Sequence, residues 1–318
     1  MNNVAQPAPT NQQLLDQSLQ RLRTTGQIEY SGEFGAEITT FIPFVFWLKQ
    51  QSLLVGRRVI TYRGMRPYYY FLDDSEFVEK TGNRHWLPPP ARYWPSNSSY
   101  TAVREPWHRM PDYRGHYRYQ GRTFQRPVLF IQNKFTVEFD KGPVNYLPLD
   151  VLNRLFKSSV DRFDVVYSRP RALRAEAGYT LDANTDCSYP DLALARHYPQ
   201  VLVLEEWCES EGLIYNLIKL QILAKSRLFV TVQGGGAHLL ACFGDSVMLL
   251  LHMEGFEYPH CYSHGPYKYL AEPPPLLLLA RNHEQLHNGT SLIEAVRIEN
   301  DVIRVNARFG PVLKALRF

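Results

Sequence analysis

Three consecutive glycines late in the chain, Gly234, Gly235 and Gly236, form its clearest candidate binding motif. They follow the apolar run 228–232, which predicts a buried strand, and precede residues 237–243, which predict a short helix. Glycine has no Cβ atom, so the backbone can approach a ligand closely, and the first turn of a helix presents unpaired N–H groups. The pattern therefore predicts a phosphate-binding turn, with a tight connection that binds nothing as the alternative.

Carboxylates in the first quarter of the chain are candidates for acid–base chemistry. Glu33 lies in a glycine-containing loop, Glu37 lies at the start of the apolar helix predicted after it, and Asp73 follows the aromatic run 68–72. Ligands of parallel sheets bind at the carboxyl ends of the strands, where such loops lie. Each acid is therefore either a site residue or a surface charge that favours a helix start.

Residues 83–126 are crowded with proline, arginine and aromatic residues and show little periodicity. Long irregular segments in compact domains are often functional. Arginines interleaved with aromatic rings could stack on sugar rings or on nucleic-acid bases. The alternative is a loop wrapped on the surface, in which arginine stacks on aromatic rings for packing alone.

Regular elements on both sides of this segment must position the candidate residues. A helix over 11–24, a short strand that starts at Ile28, a helix over 36–52 and a strand over 58–62 predict a βαβ unit and hence a parallel sheet. A second alternating series follows, with strands over 128–131, 165–167, 201–204, 228–232, 247–252 and 276–279 and helices over 149–158, 191–197, 213–224, 237–243, 282–286 and 291–296. The expected fold is α/β, with two Rossmann-like domains, 1–126 and 127–318, that face a central cleft.

Composition narrows the class of protein. The chain has 318 residues, of which 45% are hydrophobic and 21% charged, and a net charge of +4, a mild excess that suits a small anionic ligand. Its four cysteines show no C-x-x-C spacing, which argues against zinc and indicates a reducing compartment. With no long apolar run and a polar N-terminus, we expect neither a membrane span nor a signal peptide, and a cytoplasmic location.

Several common chemistries lack their motifs here. The chain contains no phosphate-binding G-x-x-x-x-G-K-[ST] loop, no G-x-S-x-G elbow and no D-x-D triplet, which metal-dependent sugar transferases generally need. Two Rossmann-like halves with a late glycine turn fit a GT-B type glycosyltransferase. In that arrangement N–H groups and basic side chains stabilise the leaving nucleoside diphosphate, so a metal is dispensable.

The segment 230–251 resembles the donor-site segment of glycosyltransferase family 61, which includes secretory protein O-GlcNAc transferases and plant β-1,2-xylosyltransferases. The chain departs from the family's histidine-glycine-alanine-glycine turn, because Gln233, Gly234 and Gly235 stand there and His238 comes after the turn. The rest of the chain resembles the family only in layout. A soluble chlorovirus-type or microbial glycosyltransferase would match the absence of a signal and an anchor.

The resemblance implies a role for each candidate residue. The residues assigned to the donor diphosphate are Asn133, Lys134, Gly234, Gly235, Gly236, Ala237 and His238. Glu205 and Glu254 are assigned to hydroxyls of the ribose or the sugar. The general base that an inverting transfer needs would come from Glu33, Glu37, Asp73 or His108, in no fixed order.

The implied reaction moves a sugar from a UDP-linked donor to a glycan or glycoprotein acceptor, without a cofactor, a divalent metal or a nucleic-acid partner. The plant relatives suggest xylose as the sugar. Two alternatives stay open: a non-catalytic protein of the same fold that binds glycans or nucleotides, and a nucleic-acid binder that uses residues 83–126.

Overall fold

The computed structural model describes residues 9–85, 94–95, 105–137, 142–170, 187–253, 266–299 and 302–305. The N-terminal elements are α1 (Asn11–Thr25), β1 (Gln27–Glu29), α2 (Phe34–Ala36), α3 (Ile42–Gln50), β2 (Arg58–Tyr62), β3 (Phe77–Lys80) and α4 (Tyr113–Tyr117). The central elements are β4 (Val128–Gln132), α5 (Leu149–Ser159), β5 (Asp164–Ser168), α6 (Asp191–Arg196), β6 (Val201–Val203), α7 (Leu204–Glu211) and α8 (Tyr215–Lys225). The last are β7 (Ser226–Val232), α9 (Gly235–Ala241), β8 (Val247–Leu251), β9 (Leu276–Ala280), α10 (His283–Ala295), β10 (Val296–Glu299) and β11 (Val302–Val305).

The larger sheet has six strands in the order β6-β5-β4-β7-β8-β9, and every neighbouring pair is parallel. Counted from β4, this order is that of doubly wound nucleotide-binding sheets, in which the chain winds first to one side and then to the other. The direction of winding reverses between β4 and β7. In doubly wound sheets, the loops after the two strands at this reversal leave in opposite directions, and ligands commonly bind there, at the carboxyl edge of the sheet.

Helices cover both faces of this sheet, because its central strands are buried on both sides. Leu129 and Ile131 of β4 pack with the layer formed by α5, α6 and α10, whereas Phe130 packs with the layer formed by α7, α8 and α9. Such two-sided burial explains why the strands are continuous apolar runs rather than alternating ones.

The N-terminal part contains a smaller parallel sheet, in the order β1-β2-β3. Buried residues of the N-terminal part, such as Phe41 and Phe44, belong to the same hydrophobic cluster as Leu220 of α8 and Leu239 of α9. The predicted α/β class with parallel sheets is thus confirmed. The division at residue 126 into two domains stays a prediction, and one buried cluster joins the two parts.

Four local features differ from the predicted elements. Helix α3 begins after a π-helical turn, Glu37–Phe41, next to Pro43, whose ring nitrogen cannot donate the usual i to i−4 bond. Leu204 opens α7 instead of ending β6. The two short helices predicted after residue 282 form one helix, α10, and β10 pairs antiparallel with β11 where only a tail was expected. No helix in the described parts of the chain is long and apolar enough to span a membrane.

Candidate functional site

The carboxyl ends of β4 and β7 place the two main candidate segments side by side. Gln132, the last residue of β4, pairs with Thr231 of β7, and Lys134 follows two residues later. Gln233 extends the sheet beyond β7, since its N–H donates to the carbonyl of Leu251 at 2.9 Å. The glycine turn starts at the next residue. The turn and Lys134 therefore lie together at the carboxyl edge, where the winding of the sheet reverses.

The glycines of the turn allow other groups to lie directly against the backbone. Gly234 has φ of 140°, a conformation that side chains rarely adopt, and a Cβ placed on it would lie 2.9 Å from the Lys134 Nζ atom. A Cβ on Gly236 would lie 1.5 Å from Nε2 of Gln132. Side chains of this protein therefore lie against the backbone of the turn, and the Lys134 ammonium group is close to Gly234. The approach of a ligand to the turn stays a prediction.

The N-terminal part of the chain packs against the glycine turn. A Cβ on Gly35 would lie 3.1 Å from Cδ2 of His238 and 3.2 Å from the Cα atom of Gly235. A Cβ on Gly235 would lie 3.2 Å from Cδ1 of the Phe34 ring. The beginning of α2 thus contacts the beginning of α9. Because each helix follows a parallel strand, the carboxyl edges of the two sheets meet here.

Positive charge and imidazole groups concentrate at this edge. Burial, followed by the charge of Lys134, lowers the pKa of His238 to about 4. His252 follows β8 and is buried; burial lowers its pKa, and the charges of Arg281 and Lys134 add to the effect. Since protonation of either ring is opposed by Lys134, an anion beside the ammonium would relieve the repulsion.

Asn133 and Glu205 lie in a buried polar network below this surface. The Asn133 Oδ1 atom accepts the N–H groups of Lys134 at 3.0 Å and Leu147 at 2.8 Å. Glu205 accepts hydrogen bonds from Ser168 Oγ at 2.7 Å and the Arg169 N–H at 2.9 Å, and burial raises its pKa. Both side chains are occupied within the protein, so we assign them to holding the strand-end loops rather than to ligand contact.

The four candidate bases lie in different surroundings. Glu37 is fully buried and paired with Arg84 Nη1 at 2.7 Å. The Asp73 side chain is 75% exposed and pairs with Lys49 Nζ at 2.9 Å, which lowers the carboxyl pKa. His108 is buried, accepts the Glu105 N–H at 3.0 Å through Nδ1 and stacks on a tyrosine ring. Only Glu33, partly exposed, lies directly before the residues that contact the glycine turn.

Several predicted features lie partly or wholly outside this site. Glu254 is outside the described residues, and Ala237 is buried in the core. In the described part of the arginine- and aromatic-rich segment, Arg114 donates to the carbonyls of Ala224 at 2.7 Å and Ser226 at 2.9 Å. These contacts favour the packing interpretation for Arg114 rather than contact with nucleic acid.

A large groove of about 1210 Å³ lies elsewhere, between Tyr70 and Phe77 on one side and Leu213 and Ile214 on the other. None of the residues that line it belongs to the glycine turn. We keep the carboxyl edge of the larger sheet as the candidate site, because the charged residues and the glycines converge there.

The sequence pattern assigned no role to three residues of this site, Gln132, Gln233 and His252. Each is the polar residue that ends a buried strand or directly follows one, so strand ends alone could have drawn attention to them. Polar strand ends are common, however, and only the order of the strands shows which of them meet.

We expect the low pKa of His238 to make the protein less stable in mild acid. A folded-state pKa of about 4, below the ordinary 6.5, means that the unfolded chain binds a proton more readily as the pH falls below 6.5. This histidine should therefore cost about 2 kcal/mol of unfolding free energy between pH 7.5 and pH 5. Urea denaturation of a His238→Asn variant should show a loss smaller by that amount.

A His197→Asn variant, changed at an exposed position on α6, provides the matched control and should lose as much stability as the wild type. Equal losses in the wild type and the His238→Asn variant would contradict the assignment of the shift to His238.

Comparisons of the chain with models of known protein families, with curated proteins and with solved structures found no match.

Proposed function

We propose that the protein is an inverting glycosyltransferase of the GT-B type that holds the diphosphate of a UDP-sugar at the glycine turn. The observation that carries the proposal is the position of the Lys134 ammonium group next to Gly234, at the carboxyl ends of β4 and β7. Doubly wound sheets bind nucleotides at this place, and a lysine with free backbone N–H groups suits a phosphate.

The same groups would assist the chemical step. When the bond between the sugar and the diphosphate breaks, negative charge grows on the leaving oxygen. Lys134 and the N–H groups of Gly235 and Gly236 would stabilise that charge, as a divalent cation does in other transferases. We therefore propose a reaction that needs no metal, with xylose as the sugar that the family resemblance suggests and a glycan or glycoprotein as the acceptor.

Glu33 is our assignment for the general base. Its carboxylate would take the proton from an acceptor hydroxyl, whose oxygen attacks the anomeric carbon as the diphosphate departs with the bonding electrons. The assignment rests on position: Glu33 precedes α2, and Phe34 and Gly35, the next two residues, contact Gly235. The base would thus come from the N-terminal part of the chain, and the diphosphate subsite from the carboxyl edge of the larger sheet.

Calorimetric titration with UDP tests the donor site. We expect wild-type protein to bind UDP with or without a chelator, and a Lys134→Ala variant to bind it about 30-fold more weakly, because a charged hydrogen bond to phosphate is lost. Lys157→Ala, at an exposed position on α5, is the matched control and should bind like the wild type. Failure of UDP to bind, or equal binding by both lysine variants, would overturn the proposal.

A further inference from the structure

Two buried glutamines flank the glycine turn. Gln132 ends β4 and is 6% exposed, and Gln233 follows β7 and is 2% exposed. Because Gln132 pairs with Thr231 and side chains alternate along a strand, both glutamines lie on the face of the sheet that carries α9. The Gln132 amide also contacts Gly236 directly.

Neither carboxamide oxygen has a hydrogen-bond partner within the described parts of the chain. Folded proteins satisfy nearly all buried polar atoms, because an unpaired one keeps the full cost of its lost hydration. Two such oxygens beside one turn are therefore a cost to the free protein that a bound ligand could remove. A phosphate cannot remove it, since an ionised phosphate offers only acceptors to an oxygen that needs a donor.

We propose that Gln132 and Gln233 bind hydroxyl groups of the donor, next to the phosphate subsite at Lys134. This inference rests on the proposed function and identifies which part of the ligand the neutral amides recognise. Lys134 lies over Gly234, and Gln132 lies against Gly236, two residues further along the turn. The hydroxyls must therefore be close to the diphosphate, on the transferred sugar or on the ribose.

A Gln132→Met variant tests the inference, because methionine has nearly the same shape and no polar amide. We expect its ligand-free melting temperature to rise by about 2 °C, since the unpaired oxygen is gone. Its dissociation constant for the recognised ligand should increase about 10-fold. A residue that merely supports the fold would instead lower the melting temperature when replaced.

Three probes distinguish the two sources of hydroxyl groups. If the amide binds the transferred sugar, the variant loses affinity for UDP-xylose but not for UDP. If the amide binds the ribose, the variant loses affinity for UDP-xylose and for UDP. It then keeps its affinity for 2′,3′-dideoxy-UDP, which lacks the ribose hydroxyls. Gln285→Met is the control: the Gln285 amide oxygen accepts the Arg281 N–H at 2.8 Å, so this variant should melt lower and bind all three probes normally.

The outcomes separate this inference from the proposed function. A lower melting temperature of ligand-free Gln132→Met, or unchanged affinity for all three probes while UDP binding still depends on Lys134, would overturn the inference alone. Absence of UDP binding by the wild type would overturn both.

Discussion

A Glu33→Gln variant is expected to bind UDP as the wild type does and to transfer the sugar about 100-fold more slowly, or slower still. Glutamine keeps the size of the side chain but cannot accept the proton of the acceptor hydroxyl. Lys134 would still stabilise the negative charge on the leaving diphosphate, so slow hydrolysis of the donor should persist. The measurement is the rate of UDP release at saturating donor and acceptor, with UDP titration on the same preparations.

The matched control is Asp73→Asn, which removes another candidate carboxylate, one whose side chain is 75% exposed. Its partner, Lys49, lies 2.9 Å away at the surface, far from any contact with the glycine turn among the described residues. This variant should turn over like the wild type. If Glu33→Gln retained a rate within about threefold of the wild type, the base would have to be another group.

A Glu37→Gln variant is expected to lose about 3–5 kcal/mol of unfolding free energy. The Glu37 carboxylate is wholly buried, pairs with Arg84 Nη1 at 2.7 Å, and accepts hydrogen bonds from Thr61 Oγ1 and from the Tyr69 hydroxyl, the latter at 2.8 Å. Arg84 is itself buried, so the substitution would leave its charge without the carboxylate. Urea denaturation followed by circular dichroism gives the loss directly.

Glu29→Gln is the control for this substitution, because Glu29 pairs with Lys80 Nζ at 2.6 Å in a partly exposed position. Exposed pairs contribute about 0.5 kcal/mol, so this variant should stay close to wild-type stability. A Glu37→Gln variant that kept its stability but lost turnover would make Glu37, and not Glu33, the better candidate for the base.

Local sequence was sufficient where a structure depends on neighbouring residues. Helix α1 begins at the capping box between Thr10 and Gln13 and ends before Gly26, which has φ of 69°. The strand predicted over 58–62 has those bounds, and the later apolar runs are the strands of a parallel sheet. Caps, glycines and continuous apolar runs act over a few residues, so they are visible without knowledge of the fold.

The local sequence was insufficient to show which of two nearby carboxylates is buried and which is partly exposed. Glu33 and Glu37 are four residues apart, yet Glu37 is buried because Thr61, Tyr69 and Arg84 close around it. The apolar run predicted Leu204 as a strand end, but Leu204 opens α7 and packs in the α7–α9 layer. Burial and partners at this distance are properties of the assembled chain.

The glycine turn itself was evident from the sequence, because three glycines lie between an apolar run that predicts a buried strand and a segment that predicts a helix. Its surroundings were not, since Lys134, Gln132 and Gly35 reach it only through the adjacency of β4 and β7 and the packing of α2 on α9. Strand order depends on long-range pairing that no local pattern encodes. The sequence alone therefore determined the position of the glycine turn between a strand and a helix, and the tertiary structure decided which side chains surround it.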